Sequence, residues 1–416
     1  MTELLKILRK ETNNEWVSGI IPGLLFHMCL GIVYCWSLVK IDIDNYVTGN
    51  TSWAFSIMVF VLALTSIFSR EYAERKTKDA ARYGAVLFSL GMIGSGLSCQ
   101  LNSLNGLYFF FGVCLGIGAG LIYVVPLKML SKWFRGTKKS GLGKIFLLLS
   151  TISSFIMVPS VKSLVENTGI VPTFTIFGII CLGILMIASW LLEDPDLLDE
   201  LKLEETKYFV NKRKSNFCRL TKTIKDIHEL PGLVILWLIL FINLSCGLAL
   251  ISCERDIMLV SGFSIVTGMA LARVAMPIGK SLTRPLLRFL GNNNIYKSWR
   301  FIFIINIIAC LIAVISRNTM WFSVVLINLG YGASFTIQPR LIADLYGKRK
   351  VARIHNFLLT AWACAGLFGN QISEHVYASG GGPTSMIIIL GIMSMLGLGL
   401  SLGFKWIYKL EEKKHK

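Results

Sequence analysis

Three basic side chains share one face of an apolar segment in the second half of the chain. Arg273, Lys280 and Arg284 follow one another at intervals of seven and four residues, so a helix presents them on one side. An ionisable side chain inside a bilayer is costly and usually faces a cavity or a partner. A guanidinium fork suits a carboxylate or a phosphate because it donates two parallel hydrogen bonds. We therefore expect this face to bind an anion.

Acidic residues that would neutralise this face are not found near the centre of any apolar segment. Those inside or beside the segments fall near one end, and they are Asp42, Asp44, Glu166, Glu254, Asp256 and Glu374. Carriers coupled to cations or protons commonly keep a central carboxylate, so its absence favours exchange of one anion for another. The alternative is a proton carried by the substrate or by His27, which is otherwise a neutral, hydrogen-bonded helix residue. For Arg284, near the end of its segment, snorkelling to the membrane surface is the alternative.

Aromatic side chains with polar tips accompany the basic face. Tyrosine and tryptophan combine a hydrogen-bond donor with an apolar body, and a small anion needs both around it. Each residue alone is equally suited to packing or to the membrane interface, but as a group they form a candidate binding set. They are Tyr34, Trp36, Tyr123, Tyr331 and Trp362.

The elements that carry these residues are predicted to be membrane-spanning helices. Of 416 residues, 54% are hydrophobic and only 16% are charged, with a mean hydropathy of +0.63, whereas a soluble domain is about a quarter charged. Twelve apolar blocks are long enough to cross a bilayer as helices. In order they cover 17–39, 52–69, 83–101, 105–130, 140–163, 170–192, 231–253, 262–289, 298–316, 319–340, 351–378 and 383–407. The expected fold class is an all-α polytopic membrane protein.

The longest polar stretch divides the twelve spans into two sets of six. Residues 1–192 are expected to form an N-terminal six-helix bundle and residues 231–416 a C-terminal one, with 193–230 as a basic cytoplasmic linker. Gly-Ala-Gly before Pro126 in span 4 and Tyr-Gly-Ala before Pro339 in span 10 are similarly placed, which fits two related halves. This layout is typical of a transporter built from two bundles.

Lysine and arginine are distributed very unevenly between alternate connections. One set, which includes both termini, holds 35 of them, and the opposite set holds four. Because cytoplasmic connections concentrate basic residues, both termini are predicted to be cytoplasmic. The excess of 42 basic over 24 acidic residues therefore reflects membrane topology rather than nucleic-acid binding. We expect an integral protein of the plasma (bacterial inner) membrane whose first span is not a cleaved signal peptide.

No cofactor and no metal site is expected from the sequence. The ten cysteines form no pair or cluster with metal-ligand spacing, and motifs such as HExxH or GxSxG are missing. The protein is therefore not expected to be an enzyme. Its expected partners are a small anionic solute and the lipid bilayer, and it is expected to be monomeric.

Three groups of spaced residues resemble one known family. Span 1 has Gly-x-x-Tyr-x-Trp-Ser from Gly31 to Ser37, and span 4 has glycines at 116, 118 and 120 followed by Tyr123 and Pro126. Spans 10 and 11 add Tyr-Gly-Ala at 331–333, Pro339, Leu-Tyr-Gly at 345–347, Asn356, Thr-Ala-Trp at 360–362, Gly366 and Gly369. Together, over nearly the whole chain, these patterns resemble the oxalate/formate antiporter (OFA) family of the major facilitator superfamily.

The resemblance implies two six-helix bundles that alternate access to a small carboxylate held between them. It implies that Arg284 corresponds to a substrate-binding arginine of span 8, and that Tyr34, Tyr123 and His27 correspond to an aromatic cage. The span-11 lysine of the family's oxalate exchanger has no basic counterpart near Trp362. A monocarboxylate is therefore expected rather than oxalate, unless Lys280 replaces the missing charge.

Two further departures from the family concern gating and span 5. Residues 70–79 keep only fragments of the superfamily's G-x-x-x-D-R-x-G-R-R loop, and Asn292 and Asn293 replace the charged pair in the equivalent loop after span 8. Leucines at 147–149 stand where a polar aromatic patch is expected. Gating is therefore expected to differ from that of the family.

The sequence thus predicts a secondary active transporter of small organic anions, working by antiport or linked to protons. Two alternatives remain open at this stage. One is a transport-inactive sensor or assembly protein built on the same fold, which the degraded loops allow. The other is a carrier of another solute class, a sugar or a cation.

Overall fold

The computed structural model describes residues 16–133, 156–193, 230–289, 296–347 and 350–414. This part of the chain forms twelve helical segments and no strands. In chain order they are α1 (16–44), α2 (Ser52–Phe68), α3 (Thr77–Gln100), α4 (104–133), α5 (156–168), α6 (Ile170–Leu191), α7 (Leu230–Val260), α8 (Ile265–Phe289), α9 (Tyr296–Ile315), α10 (Met320–Tyr346), α11 (Val351–Ala378) and α12 (Pro383–Lys414). A short helix, Arg70–Arg75, lies between α2 and α3.

The helices follow the predicted spans but several run longer. Eight helices of the described ranges are long and apolar enough to cross a membrane, and α2 is a shorter apolar helix. The expected end of span 7 at residue 253 is wrong, because α7 continues through Glu254 to Val260. A charged residue does not end a helix; here the end is marked by Gly262, whose φ of 67° is left-handed.

Two expected segments lie largely outside the described residues. The predicted span 5 begins at residue 140, but the structure describes this region only from residue 156, so the leucines at 147–149 are not covered. The linker prediction for 193–230 is covered only at its two ends.

Helix packing repeats between the two halves of the chain. In the N-terminal half, α1 packs on α4 and α6, α2 packs on α4, and α3 packs on α4 and α6. In the C-terminal half, α7 packs on α10 and α12, α8 packs on α10, and α9 packs on α10 and α12. Adding six to each helix number converts the first set into the second. Five helices of each half are therefore packed in the same way, as expected of two related six-helix bundles.

Glycine allows close approach of helix backbones inside each bundle. A Cβ atom at Gly118 of α4 would collide with the backbone of Phe88 in α3, and one at Gly332 of α10 would collide with the Met276 carbonyl in α8. Small residues at such crossings let helices pack closely in membranes. The crossing at Gly332 fixes the position of α8, which carries the basic face.

The two bundles meet mainly along α2 and α11. At the end of the molecule that holds the α1–α2 turn, the Asn370 amide donates to the Ser52 carbonyl at 2.6 Å and to the Ser56 hydroxyl at 2.9 Å. Glu374 accepts a hydrogen bond from the Ser52 hydroxyl and pairs with Lys40 at 3.5 Å. We call these five residues the end seal, because they join the bundles on one side.

The opposite end of the same helix pair also carries a contact between the bundles. The guanidinium of Arg70, at the start of the short helix after α2, donates to the Asn356 side chain of α11 at 3.1 Å. Arg70 also pairs with Glu74 at 3.7 Å. The degraded loop at 70–79 therefore still supplies a contact to the other half of the chain.

Replacing Gly332 by alanine is expected to destabilise the protein by about 1–3 kcal/mol, because the added Cβ pushes α10 away from α8. The midpoint of thermal unfolding in detergent measures this. Gly399→Ala is the matched control, since Gly399 lies in α12 with nothing within 4 Å of the position of a Cβ. Equal midpoints for both variants would contradict the close packing of α8 on α10.

Candidate substrate site

Span 1 is irregular at the residue that faces the other bundle. Helix α1 changes from α-helix at Ile21–Leu30 to a 3₁₀ turn at Gly31–Cys35 and returns to α-helix at Trp36–Asp44. Such a turn inside a long helix often marks a functional position. Tyr34 lies in this turn, and its ring centroid is 5.3 Å from the guanidinium carbon of Arg273 in α8. The turn therefore places a tyrosine of one bundle against a basic residue of the other.

Four aromatic side chains make a continuous set across the bundle interface. Tyr123 of α4 and Trp362 of α11 have ring centroids 5.5 Å apart, and Phe335 of α10 lies 5.5 Å from both Trp362 and Tyr331. The indole N–H of Trp362 donates to the Tyr331 hydroxyl at 3.1 Å. Tyr34 is close enough to Tyr123 and Tyr331 to interact with both electrostatically. We call these five residues the aromatic cage.

Lys280 supplies positive charge to the cage. Its ammonium nitrogen lies 5.4 Å from the ring centroid of Phe335, which is a cation–π geometry. The side chain is half-buried. Among the described residues no carboxylate lies within 4.0 Å of this nitrogen. The charge of Lys280 is therefore available to an anion in the cage.

His27 of α1 borders the same region. Its Nδ1 lies 3.1 Å from the carbonyl oxygen of Gly23, one turn earlier in the helix. Because a carbonyl only accepts, Nδ1 carries the hydrogen, so Nε2 of the neutral ring is the acceptor nitrogen. His27 also lies within electrostatic range of Lys280. The structure thus places His27, hydrogen-bonded to its own helix, within electrostatic range of the lysine.

Arg273 does not have the role expected from the sequence. We expected an arginine with no acidic partner, but its guanidinium pairs with the carboxylate of Glu254 in α7. Asn328 of α10 accepts from Arg273 at 3.3 Å and donates to Glu254 at 3.1 Å, so the three side chains form a ring of hydrogen bonds. The side chains of Arg273 and Glu254 are only 1% and 0% exposed. The expectation of an unpaired basic face is therefore wrong at this position.

The reason for the error is the length of α7. The sequence placed Glu254 at the end of span 7, in contact with the membrane surface. The helix instead continues for six residues beyond it, to Val260, which is about 9 Å along the axis. A residue one and a half turns inside a helix end is able to reach a neighbouring helix, and Glu254 reaches Arg273.

Two other candidates have different outcomes. Trp36 stacks on Phe55 at 5.4 Å and lies 5.0 Å from Phe111, and it is 1% exposed, so it belongs to the core of the N-terminal bundle and not to the cage. The backbone of Arg284 lies in α8, but its side chain is outside the described residues. The cage therefore contains Tyr34, Tyr123, Tyr331 and Trp362 of the expected set.

Two residues of the region, Asn328 and Phe335, are absent from the expected set, and Glu254 was expected at the end of its span, away from the basic face. Phe335 follows Tyr331 by four residues and Asn328 precedes it by three, so both share its helix face. That spacing predicts that both residues lie on the same helix face as Tyr331. For Glu254 the signal would have been the polar turn at 261–262, which marks where the helix really ends.

Two six-helix bundles that face each other across a polar, aromatic-lined centre define a membrane transporter, not an enzyme. The family description Major Facilitator Superfamily matches residues 26–370, most of the chain, so this chain belongs to that superfamily. Membership of this superfamily identifies the chain as a membrane transporter.

Individual relatives are distant. The oxalate:formate antiporter of Oxalobacter formigenes is 20% identical over 406 residues, covering 93% of this chain and 91% of that protein. Monocarboxylate transporter 12 of Xenopus laevis is 28% identical over 177 residues, covering 40% of this chain and 37% of that protein. The solved structure of a bacterial homologue of the human lysosomal transporter Spinster covers 94% of both chains with a TM-score of 0.61 at 13% identity. The structural likeness confirms the fold.

Replacing Arg273 by glutamine is expected to destabilise the protein by about 3–5 kcal/mol, because Glu254 is left as an uncompensated buried charge. The double variant Arg273→Gln, Glu254→Gln is expected to recover most of that loss, since neither charge remains. Midpoints of thermal unfolding for the single and double variants measure the coupling. Additive losses in the double variant would show that the two side chains do not depend on each other.

Proposed function

We propose that this protein carries a small monocarboxylate between its two bundles by alternating access, exchanging one anion for another. The observation that carries the proposal is the Lys280 ammonium, which adjoins the aromatic cage and has no carboxylate of the described residues within 4.0 Å. A single positive charge matches a single carboxylate. A dicarboxylate needs a second cation, and of the two basic side chains of α8 that the structure describes, Arg273 is already paired with Glu254.

The cage supplies the other interactions that a small carboxylate needs. The hydroxyl groups of Tyr34 and Tyr123 are donors from the N-terminal bundle, and Lys280 is a donor from the C-terminal bundle. Trp362 and Phe335 provide an apolar enclosure, which excludes water and strengthens charge-assisted hydrogen bonds. Because the wall comes from both bundles, a rocking motion opens it to one side at a time. The named relative that exchanges oxalate and formate supports a carboxylate as the solute class.

Charge balance supports exchange rather than net uptake. A bound monocarboxylate neutralises Lys280, so the loaded centre crosses the membrane without uncompensated charge from this residue. The empty centre would keep the charge of Lys280 in a low-dielectric environment, which is costly. Return is therefore easier with a second anion bound.

The orientation that we propose follows from the distribution of basic residues, with both termini in the cytoplasm of a plasma (bacterial inner) membrane. In this orientation the end seal of Lys40, Ser52, Ser56, Asn370 and Glu374 faces outward. The bundles are then joined on the outer side by the end seal and on the cytoplasmic side by the contact of Arg70 with Asn356. We propose that the monomer is the working unit, since the cage is completed within one chain.

Lys280→Gln is expected to weaken carboxylate binding by roughly tenfold to a hundredfold, because a hydrogen bond to a charged group contributes about 1.5–3 kcal/mol. The measurement is counterflow in proteoliposomes loaded with unlabelled formate, acetate or propionate, with the radiolabelled anion outside. Lys162→Gln is the matched control, since Lys162 pairs only with Glu166 at 3.7 Å on the surface of α5. Retained exchange in Lys280→Gln, with the protein folded and inserted, would refute the site assignment.

A second substitution tests whether the hydrogen bond from Trp362 to Tyr331 contributes to anion binding. Trp362→Phe keeps the aromatic contacts but removes the hydrogen bond to Tyr331, and it is expected to weaken binding of the same anions about fivefold, for a loss of about 1 kcal/mol. Trp237→Phe is the control, because Trp237 likewise donates its indole N–H, at 2.9 Å, but to Thr360 outside the cage. Affinities measured by titration of the purified proteins should differ between the two variants. The same affinity in both would show that the Trp362–Tyr331 bond has no part in binding.

A further inference from the structure

The ion pair of Arg273 and Glu254 adjoins the cage but has no direct part in holding the solute. Its members are 1% and 0% exposed, and the Arg273 guanidinium carbon lies 5.3 Å from the ring centroid of Tyr34, which is a cage residue. A buried ion pair is weak evidence for stability, since well-packed apolar residues at such positions are often equally good. Because this ion pair lies next to a cage residue, its presence there needs an explanation other than stability.

The explanation lies in the charge of the region. Lys280 and Arg273 are seven residues apart on one face of α8, about 10.5 Å along the axis. Without Glu254 both cations would face the cage through that side of the helix. With Glu254 the guanidinium is neutralised, and of these two cations only Lys280 keeps a charge available to a solute. The carboxylate of Glu254 thus neutralises one of these two positive charges and leaves the other available.

Asn328 keeps the arrangement fixed. It accepts a hydrogen bond from Arg273 and donates one to Glu254, and it also donates to the Val324 carbonyl of its own helix at 2.9 Å. This ring links α7, α8 and α10, so the guanidinium is held against Tyr34 on one side and Glu254 on the other. A rotation of Arg273 toward the cage would break the two hydrogen bonds that Arg273 donates, to Asn328 and to Glu254.

Building on the proposed function, we infer that Glu254 sets the charge of the accepted substrate: by neutralising Arg273 it selects monocarboxylates over dicarboxylates. Glu254 is a positioning residue, since it acts through Arg273 and does not touch the solute. Glu254 thus influences substrate specificity although it lies behind the cage wall. Removing this one negative charge is also expected to free the Arg273 guanidinium as a donor for a second carboxylate.

The test compares propionate with malonate, which have the same three-carbon skeleton and differ by one carboxylate. Glu254→Gln keeps the size of the side chain and a hydrogen-bond acceptor but removes the charge. The ratio of malonate affinity to propionate affinity, measured by titration of the purified protein, is expected to rise about tenfold or more, as a new charged hydrogen bond allows. Glu166→Gln removes the carboxylate of a surface ion pair and should leave the ratio unchanged.

A second pair of variants keeps the test decisive if Glu254→Gln does not fold. Arg273→Gln leaves the negative charge of Glu254 beside the cage, so propionate binding is expected to weaken about tenfold. The double variant Arg273→Gln, Glu254→Gln restores the original net charge and should recover propionate binding. Equal propionate affinities in the single and double variants would overturn the inference.

The outcomes separate this inference from the proposed function. If the wild-type protein prefers propionate and Glu254→Gln keeps the same ratio, Glu254 does not set substrate charge and the proposed function stands. If the wild-type protein binds malonate more tightly than propionate, both are overturned. A raised ratio in Glu254→Gln together with an unchanged ratio in Glu166→Gln supports the inference.

Discussion

A positive charge inside the membrane must be matched by a negative charge or by water, because its desolvation is too costly otherwise. The two described basic residues of α8 meet this requirement in different ways. Arg273 has a permanent partner in Glu254, held by Asn328. Lys280 has no carboxylate partner of the described residues and lies at the cage. The same constraint is met within the protein for Arg273, whereas for Lys280 the proposed function has it met by a bound anion.

The cage depends on the packing of the bundles as much as on its own residues. Its residues are drawn from α1, α4, α10 and α11, so no single bundle can complete it. The close crossing of α8 and α10 at Gly332 sets where Lys280 meets Phe335. The contacts of α2 with α11 bring Trp362 within reach of Tyr123. A movement that separates the bundles therefore opens the cage and breaks the contact of Tyr34 with Arg273 at the same time.

Much of the fold was accessible from the sequence, because membrane spans are marked by long apolar blocks and by the bias of basic residues. Four of the five expected aromatic residues lie in one cage. Among them, Tyr123 of α4 lies against Trp362 of α11. Trp36 was misplaced because apolar spans give no clear sign of which face points inward. Glu254 was misjudged because hydropathy locates the apolar part of a helix, whereas backbone hydrogen bonds decide its end. The pairing of Glu254 with Arg273 depends on the six residues by which α7 continues beyond Glu254.

The neutral pair and the single lysine together bear on how the transport cycle is driven. Arg273 and Glu254 contribute no net charge in any conformation in which they remain paired, so they add no electrostatic barrier to movement. Of the two described basic residues of α8, Lys280 is the one whose counter-charge would change between the loaded and the empty state of the proposed cycle. The barrier to the empty transition is then the cost of enclosing one ammonium group without its counter-ion. An exchanger needs that barrier, because a low barrier would let the empty carrier return and uncouple the two fluxes. In the proposed cycle the lysine that binds the solute would also enforce exchange, while the carboxylate of Glu254 keeps Arg273 neutralised.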